Sequence, residues 1–197
     1  MKKIGITGNI GSGKSTVSDI IKKLGYKVFE SDQEVSKLLD NQEIVRVIKE
    51  EFNSKIKGLI KKDKIDRSRL SDFVFSNATG LKKLESIIHP KVWEEKEKFF
   101  IKNIKEKIVF LDIPLLFEKK LQSNFNYIIY TFVAKRIQKE RVLNRKNMNE
   151  KKLNQIISNQ NKLSNHQKKR ISLKLNTNKN IVEIKRKIED FLSSISS

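Results

Sequence analysis

Short apolar runs alternate along this chain with stretches whose apolar residues recur every three or four positions. Residues 3–7 alternate and then run apolar through Ile4 and Ile6, as a short buried strand does. Val17, Ile20, Ile21 and Leu24 follow at i, i+3, i+4, i+7, one apolar helix face, and Gly25 reads as its stop. Residues 26–29, 107–112 (KIVFLD), 126–133 (NYIIYTFV) and 171–175 read as four further strands. The continuous apolar character of residues 126–133 fits a sheet covered on both faces. Ile181, Ile184, Ile188 and Phe191 make an amphipathic closing helix, and residues 193–197 are expected to fray. The pattern predicts an α/β chain with a five-stranded parallel sheet flanked by helices.

Residues 43–105 break the alternation. Ile44, Val47, Ile48 and Phe52 share a face, a bend containing Gly58 follows, and Arg67, Arg69 and Leu70 lead into residues 73–75. Leu81, Leu84 and Ile88 form another face, which should end at His89 because a residue before proline disfavours the α region. Pro90 then suits the first turn of a new helix carrying Trp93, Phe100 and Ile104. A stretch this long without a convincing strand reads as a helical insert that covers a substrate.

The chemistry begins between the first strand and the first helix. Gly8-Asn9-Ile10-Gly11-Ser12-Gly13-Lys14-Ser15 fits the phosphate-loop pattern of two glycines five apart followed by Lys and Ser or Thr. Glycine lets backbone N–H groups turn inward around a phosphate, and the helix behind points its positive dipole end at the same place. Lys14 supplies a cation for the outer phosphates, and the Ser15 hydroxyl can sit on Mg²⁺. The loop therefore predicts a nucleoside triphosphate ligand.

Two acids follow strands. Asp32 lies just past the second one, where open parallel sheets place ligands, and reads either as a functional carboxylate or as the cap of the next helix. Asp112 ends the third, the form of an acid that helps hold Mg²⁺. His89 reads as a structural residue at a helix junction or as a site residue, and it lacks companion ligands for a metal. Residues 135–165 form a charge-rich helical region in which Arg141 and Arg145, four apart, project from one face, with a break at residues 147–149. It is either a solvated hairpin or a lid that brings arginines onto transferring phosphates.

Composition adds bounds. A chain of 197 residues without cysteine has no disulfides or thiolate metal sites, and no apolar run approaches a bilayer span. These features predict a soluble, cytoplasmic protein without a membrane partner. The net charge of +20 raises nucleic acid as a partner. Its 35 lysines against 8 arginines are dispersed rather than gathered, so the expectation is a basic surface that attracts polyanions, with no nucleic acid.

Taken together, these residues resemble the dephospho-coenzyme A kinase family over nearly the whole chain. The resemblance rests on the loop from Ile6 to Thr16, on the acidic strand end at residues 28–32 with Glu30 where an Asp is usual, and on Asp66-Arg67 through Leu70 and Phe75. It continues in Ile88-His89-Pro90, in Pro114-Leu115-Leu116-Phe117-Glu118, and in Gln138, Arg141, Arg145 and Gln160. Near the C-terminus the chain departs: Lys169-Arg170 and Asn176-Thr177-Asn178 stand where the family has an Ala-Asp pair and an Asn often followed by Ser-Gly.

The resemblance implies a phosphate-loop kinase domain spanning residues 1–197. Its nucleotide-binding core would be 1–41, 106–134 and 170–197, with a helical acceptor-binding insert at 42–105 and a lid at 135–169. It implies phosphorylation by ATP of the ribose 3′-hydroxyl of dephospho-coenzyme A, the last step of coenzyme A biosynthesis. Asp32 would be the base, with Lys14 and Arg141 neutralising charge. Gly8, Gly11, Ser12, Gly13, Lys14, Ser15, Thr16, Arg141, Arg145 and an asparagine, Asn176 or its neighbour Asn178, would bind nucleotide. Asp32, Arg67, His89 and Glu118 would face the acceptor, Ser15 and Asp112 would hold Mg²⁺, and the chain would be a monomer or a small homo-oligomer. A nucleoside or nucleoside-monophosphate kinase of the same fold is the nearest alternative, and a nucleic-acid-stimulated ATPase a more distant one.

Overall fold

The structure is a computed structural model and describes residues 1–145, 148–160 and 163–195. It divides into two compact units, residues 1–30 with 103–197, and residues 31–102.

The first unit is built on a five-stranded parallel sheet of β1 (Lys2–Gly8), β2 (Lys27–Glu30), β5 (Ile108–Asp112), β6 (Tyr127–Phe132) and β7 (Leu173–Asn176). The spatial order is β2-β5-β1-β6-β7, all pairs parallel. The five predicted strands are these, with small shifts at their ends. β1 is central, and the strand order reverses around it, which makes its carboxyl end a switch point where such sheets bind ligands. α1 (Lys14–Lys23) and α9 (Ile181–Ile195) pack on one face. There Ile4, Ile6, Val17, Ile21, Phe110, Ile129 and Ile188 are fully buried, each worth about 1.5–3 kcal/mol relative to exposure. α6 (Lys135–Leu143), α7 (Glu150–Asn159) and α8 (Asn165–Lys169) follow β6.

Several expectations change here. α9 stays helical through Ile195, which is buried and whose carbonyl accepts from Lys2, so packing holds a segment expected to fray; residues 196–197 lie outside those described. α6 ends at Leu143 with Asn144 as its cap, so Arg145 lies beyond the helix that carries Arg141. At the predicted break, the Asn149 side chain caps α7 by accepting from the Lys152 N–H at 2.9 Å; Asn147 lies outside the described residues.

The second unit comprises α2 (Ser31–Leu38), α3 (Gln42–Phe52), a hairpin of β3 (Ile60–Lys61) and β4 (Lys64–Ile65), α4 (Arg67–Ser76) and α5 (Ala78–Lys102). Its own core joins Ile44, Ile48, Phe52, Leu59, Leu70, Val74 and Ile88. The hairpin is a strand pair where none was expected. Its two turn residues, Lys62 and Asp63, both have positive φ, as a type I′ turn requires, without the Asn-Gly signature that usually announces one. The helix expected to end at His89 continues as one helix through Pro90. Leu84, Ile87 and Ile88 before the proline and Val92 after it reach the same apolar cluster, and that packing outweighs the local preference. Trp93 on α5 is exposed, with the Lys96 ammonium 3.9 Å from its ring centre, and Ile104, expected on the same helix, lies past its end and is exposed. Among the described residues no helix is long and apolar enough to cross a membrane.

Asp66 locks the hairpin to α4. Its N–H donates to Leu59 O at 2.7 Å, and its carboxylate accepts from Lys61 Nζ at 2.6 Å and from the Arg69 N–H at 3.2 Å. The Lys61 hydrogen bond, then that of Arg69, hold its pKa below the ordinary value. A depressed folded pKa means the contribution is present above the unfolded value and fades as pH falls through the folded one. Thermal melts should therefore show Asp66→Asn less stable than the parent at neutral pH, with the gap closing below about pH 4. A gap independent of pH would contradict this assignment.

Candidate active site

The loop between β1 and α1 has the shape its glycines predict. Gly13 is the N-cap of α1 at φ 82°, a left-handed conformation, and a Cβ there would lie 2.5 Å from Thr177 Oγ1. At Gly8 a Cβ would stand 2.3 Å from both the carbonyl and the hydroxyl oxygen of Thr131. The first N–H groups of a helix have no intrahelical acceptor, and α1 starts without a side-chain cap. An anion is the partner that such a helix end suits. Lys14 Nζ donates to Gly8 O at 3.1 Å, which folds the cation back across the loop.

The loop is fastened mostly through its carbonyls and side chains. Ile10 is gripped twice: its carbonyl accepts from Gln138 Nε2 at 2.8 Å, and its N–H donates to Gln160 Oε1 at 3.1 Å. The carbonyl of Ser12 accepts from the Thr177 hydroxyl at 2.7 Å. Thr131 Oγ1 donates to Thr7 O at 3.2 Å, so at the 2.7 Å contact with Ser12 Oγ it is Ser12 that donates. The Asn9 side chain accepts from the Tyr130 hydroxyl at 3.3 Å. Burial first, and then the charge of Glu118, push the Tyr130 pKa up, which keeps this phenol a donor. Arg141 donates to Thr177 Oγ1 at 2.9 Å and to its carbonyl at 3.0 Å. Helices α6 and α7, the predicted lid, thus reach the loop directly.

At the carboxyl edge of the sheet, Glu30 and Asp112 are register partners on adjacent strands. α1 meets both acids with residues one turn apart: Ser18 donates to Asp112 Oδ2 at 3.2 Å, and Lys22 pairs with Glu30. No cluster of three or more His, Asp or Glu among the described residues could hold a metal alone. Mg²⁺ in phosphoryl transfer needs less, one or two protein oxygens completed by substrate phosphates and water. The Ser15 hydroxyl in the first turn of α1 and the Asp112 carboxylate at the end of β5 are hard oxygen donors of that kind. Glu118 lines a cleft with Phe117, Lys120, Leu163 and Gln167. The Asn176 side chain accepts from the Asn178 N–H at 3.1 Å, a local turn at the end of β7.

Three predicted residues belong to the helical unit. Asp32 is exposed in the first turn of α2, which begins at Ser31, so it is a first-turn acid and not the helix cap; a negative charge suits that end of a helix. Arg67 ties α4 to α2, donating to Ser36 O at 2.8 Å and pairing with Asp40 at 2.7 Å. His89 is half-exposed on α5, its Nε2 3.7 Å from the Glu85 carboxylate.

Thr131 and Thr177 were not found from sequence. Each is a buried hydroxyl at or just past a strand end, more than 100 residues from the loop it holds. Threonine in or beside a strand carries no signal of its own.

Comparison with known proteins is consistent from end to end. The family model of dephospho-CoA kinase matches residues 2–183. A dephospho-CoA kinase of Bartonella quintana is 42% identical over 163 residues, 81% of each chain. One from Fusobacterium nucleatum is 34% identical over 197 residues, covering 98% of this chain and 97% of its own. Among solved structures, TT1252 from Thermus thermophilus superposes with a TM-score of 0.79 at 28% identity, covering 100% of this chain and 98% of that one. A glycine loop at the switch point of a parallel sheet and this agreement along the sequence lead to one assignment: the chain belongs to the dephospho-CoA kinase family, kinases that transfer phosphate from ATP in the last step of coenzyme A biosynthesis.

Proposed function

We propose that this chain phosphorylates the ribose 3′-hydroxyl of dephospho-coenzyme A, with Asp32 as the base and the β1–α1 loop as the seat of the triphosphate. The support comes from one observation above all. The loop is braced from outside while the uncapped first turn of α1 opens onto it. In this reading the 3′-oxygen attacks the γ-phosphorus as the bond to the β,γ-bridging oxygen breaks, giving coenzyme A and ADP. Such transition states are loose, so alignment and charge neutralisation outweigh forceful deprotonation. Asp32 accepts a hydrogen bond from the hydroxyl and takes its proton late. Gly8, Gly11, Ser12, Gly13 and Thr16 cradle the phosphates, and Lys14, Arg141 and Arg145 neutralise them. Arg67, His89 and Glu118 hold the acceptor, and Asn176 meets the adenine side. Ser15 and Asp112 are the residues that would hold Mg²⁺, which when bound offsets charge on the phosphate oxygens.

We assign residues 42–105 to acceptor binding, 135–169 to the lid, and the remainder to the nucleotide core. The protein is inferred to act in the cytoplasm, as a monomer or small homo-oligomer, without nucleic acid.

An acceptor panel with γ-labelled ATP tests the reaction. Label should appear on dephospho-coenzyme A and be absent from nucleosides and nucleoside monophosphates; the reverse distribution, or turnover that depends on added DNA or RNA, would overturn the reading. For the site, Lys14→Ala should lower kcat by about 10²–10³-fold through lost charge stabilisation. Asp32→Asn should lower kcat by about 10²–10⁴-fold while ATP affinity stays near wild type. Near-wild-type turnover of Asp32→Asn in steady-state assays would remove it as the base.

A further inference from the structure

We propose that Thr177 is a positioning residue for nucleotide binding, fastening the phosphate loop and Arg141 to each other through one hydroxyl. Thr177 is 6% exposed, and its N–H donates to Phe132 O at 3.1 Å, which fixes it as the residue continuing β7 alongside β6. A hydroxyl has one proton, and Arg141 can only donate. The Thr177 proton therefore goes to Ser12 O at 2.7 Å, and its lone pair receives Arg141 Nη1 at 2.9 Å. The second arm of the same guanidinium reaches the Thr177 carbonyl at 3.0 Å. Gly13, packed against Thr177 with no Cβ between, allows this approach.

The arrangement has two consequences. The carbonyl of Ser12 is turned toward Thr177, which orients the peptide unit that leads into Gly13 and the first turn of α1. Arg141 is held as a fork on two fixed acceptors, and a guanidinium with five N–H donors keeps others for oxyanions. A flexible side chain thus meets a triphosphate with its geometry already set. Removing the hydroxyl alone leaves a buried carbonyl and an arginine without their shared partner.

The inference rests on the reading of the β1–α1 loop as the triphosphate seat and is independent of which acceptor is used. Its test is ATP binding by calorimetry on the full chain without acceptor, followed by steady-state kinetics. Thr177→Val keeps shape and loses the hydroxyl; Thr177→Ala and Thr177→Ser differ from each other only in the hydroxyl. Thr177→Val and Thr177→Ala should bind ATP about tenfold more weakly, through the loss of a hydroxyl that makes two hydrogen bonds, while Thr177→Ser matches wild type. The rise should fall on KM for ATP, with KM for dephospho-coenzyme A unchanged. In an Arg141→Lys background the same Thr177→Val change should weaken ATP binding less, since the two side chains act as one unit. Should Thr177→Val not fold, the Ala and Ser pair decides. Equal ATP binding by Ala and Ser variants, or wild-type binding by Thr177→Val, would overturn the inference. A protein that binds ATP and leaves dephospho-coenzyme A unphosphorylated would instead sink the proposed reaction and leave this inference standing.

Discussion

A loop that must offer its backbone N–H groups to a ligand cannot use those groups to hold itself in place. Most of the bracing of the β1–α1 loop fits that constraint. Its fastening runs mainly through the opposite ends of its peptide units and through side chains, with the N–H groups of Ile10, held by Gln160, and Ser12, which donates to Asn9 O, as exceptions. Gln138 holds the carbonyl of Ile10, Thr177 that of Ser12, and Lys14 that of Gly8. Tyr130 and Thr131 hold the side chains of Asn9 and Ser12. The braces come from β6, α6, the cap residue of α7 and the residue that follows β7.

The sheet supplies the rigid part of this arrangement. β1 is paired on both sides and buried from Ile4 onward, which gives the loop a fixed starting point. The neighbouring strand ends bring Glu30 and Asp112 side by side, and α1 answers them with Lys22 and Ser18, one turn apart. One helix thus carries both the uncapped end behind the glycine loop and the partners of the strand-end acids. Displacing it would disturb two sets of charges together. That economy explains how a chain of 197 residues builds a nucleotide site on a single small sheet.

Much of this was legible in the sequence, because the phosphate loop is local: strand, glycines, lysine and helix face lie within 24 residues. The five strands were legible as short apolar or alternating runs, most nearly unbroken in IVFL of β5 and YIIY of β6. What escaped was non-local or lacked a distinctive residue. Thr177 and Thr131 act across more than 100 residues, and the hairpin turn uses Lys62 and Asp63 in place of glycine. Pro90 misled in the other direction: its local rule is sound, yet apolar neighbours on both sides kept α5 continuous. Arg145 lies outside the predicted helix because α6 closes one residue before it, at Asn144.

In the proposed reaction the braced loop seats a triphosphate while Asp32 aims a sugar hydroxyl at its terminal phosphorus. A crystal structure with a non-hydrolysable ATP analogue, Mg²⁺ and dephospho-coenzyme A measures this most directly. Phosphates are expected against the N–H groups from Gly11 to Thr16, and the ribose 3′-oxygen within hydrogen-bond reach of the Asp32 carboxylate. A 3′-oxygen facing any other group, with Asp32 turned to solvent, would contradict it.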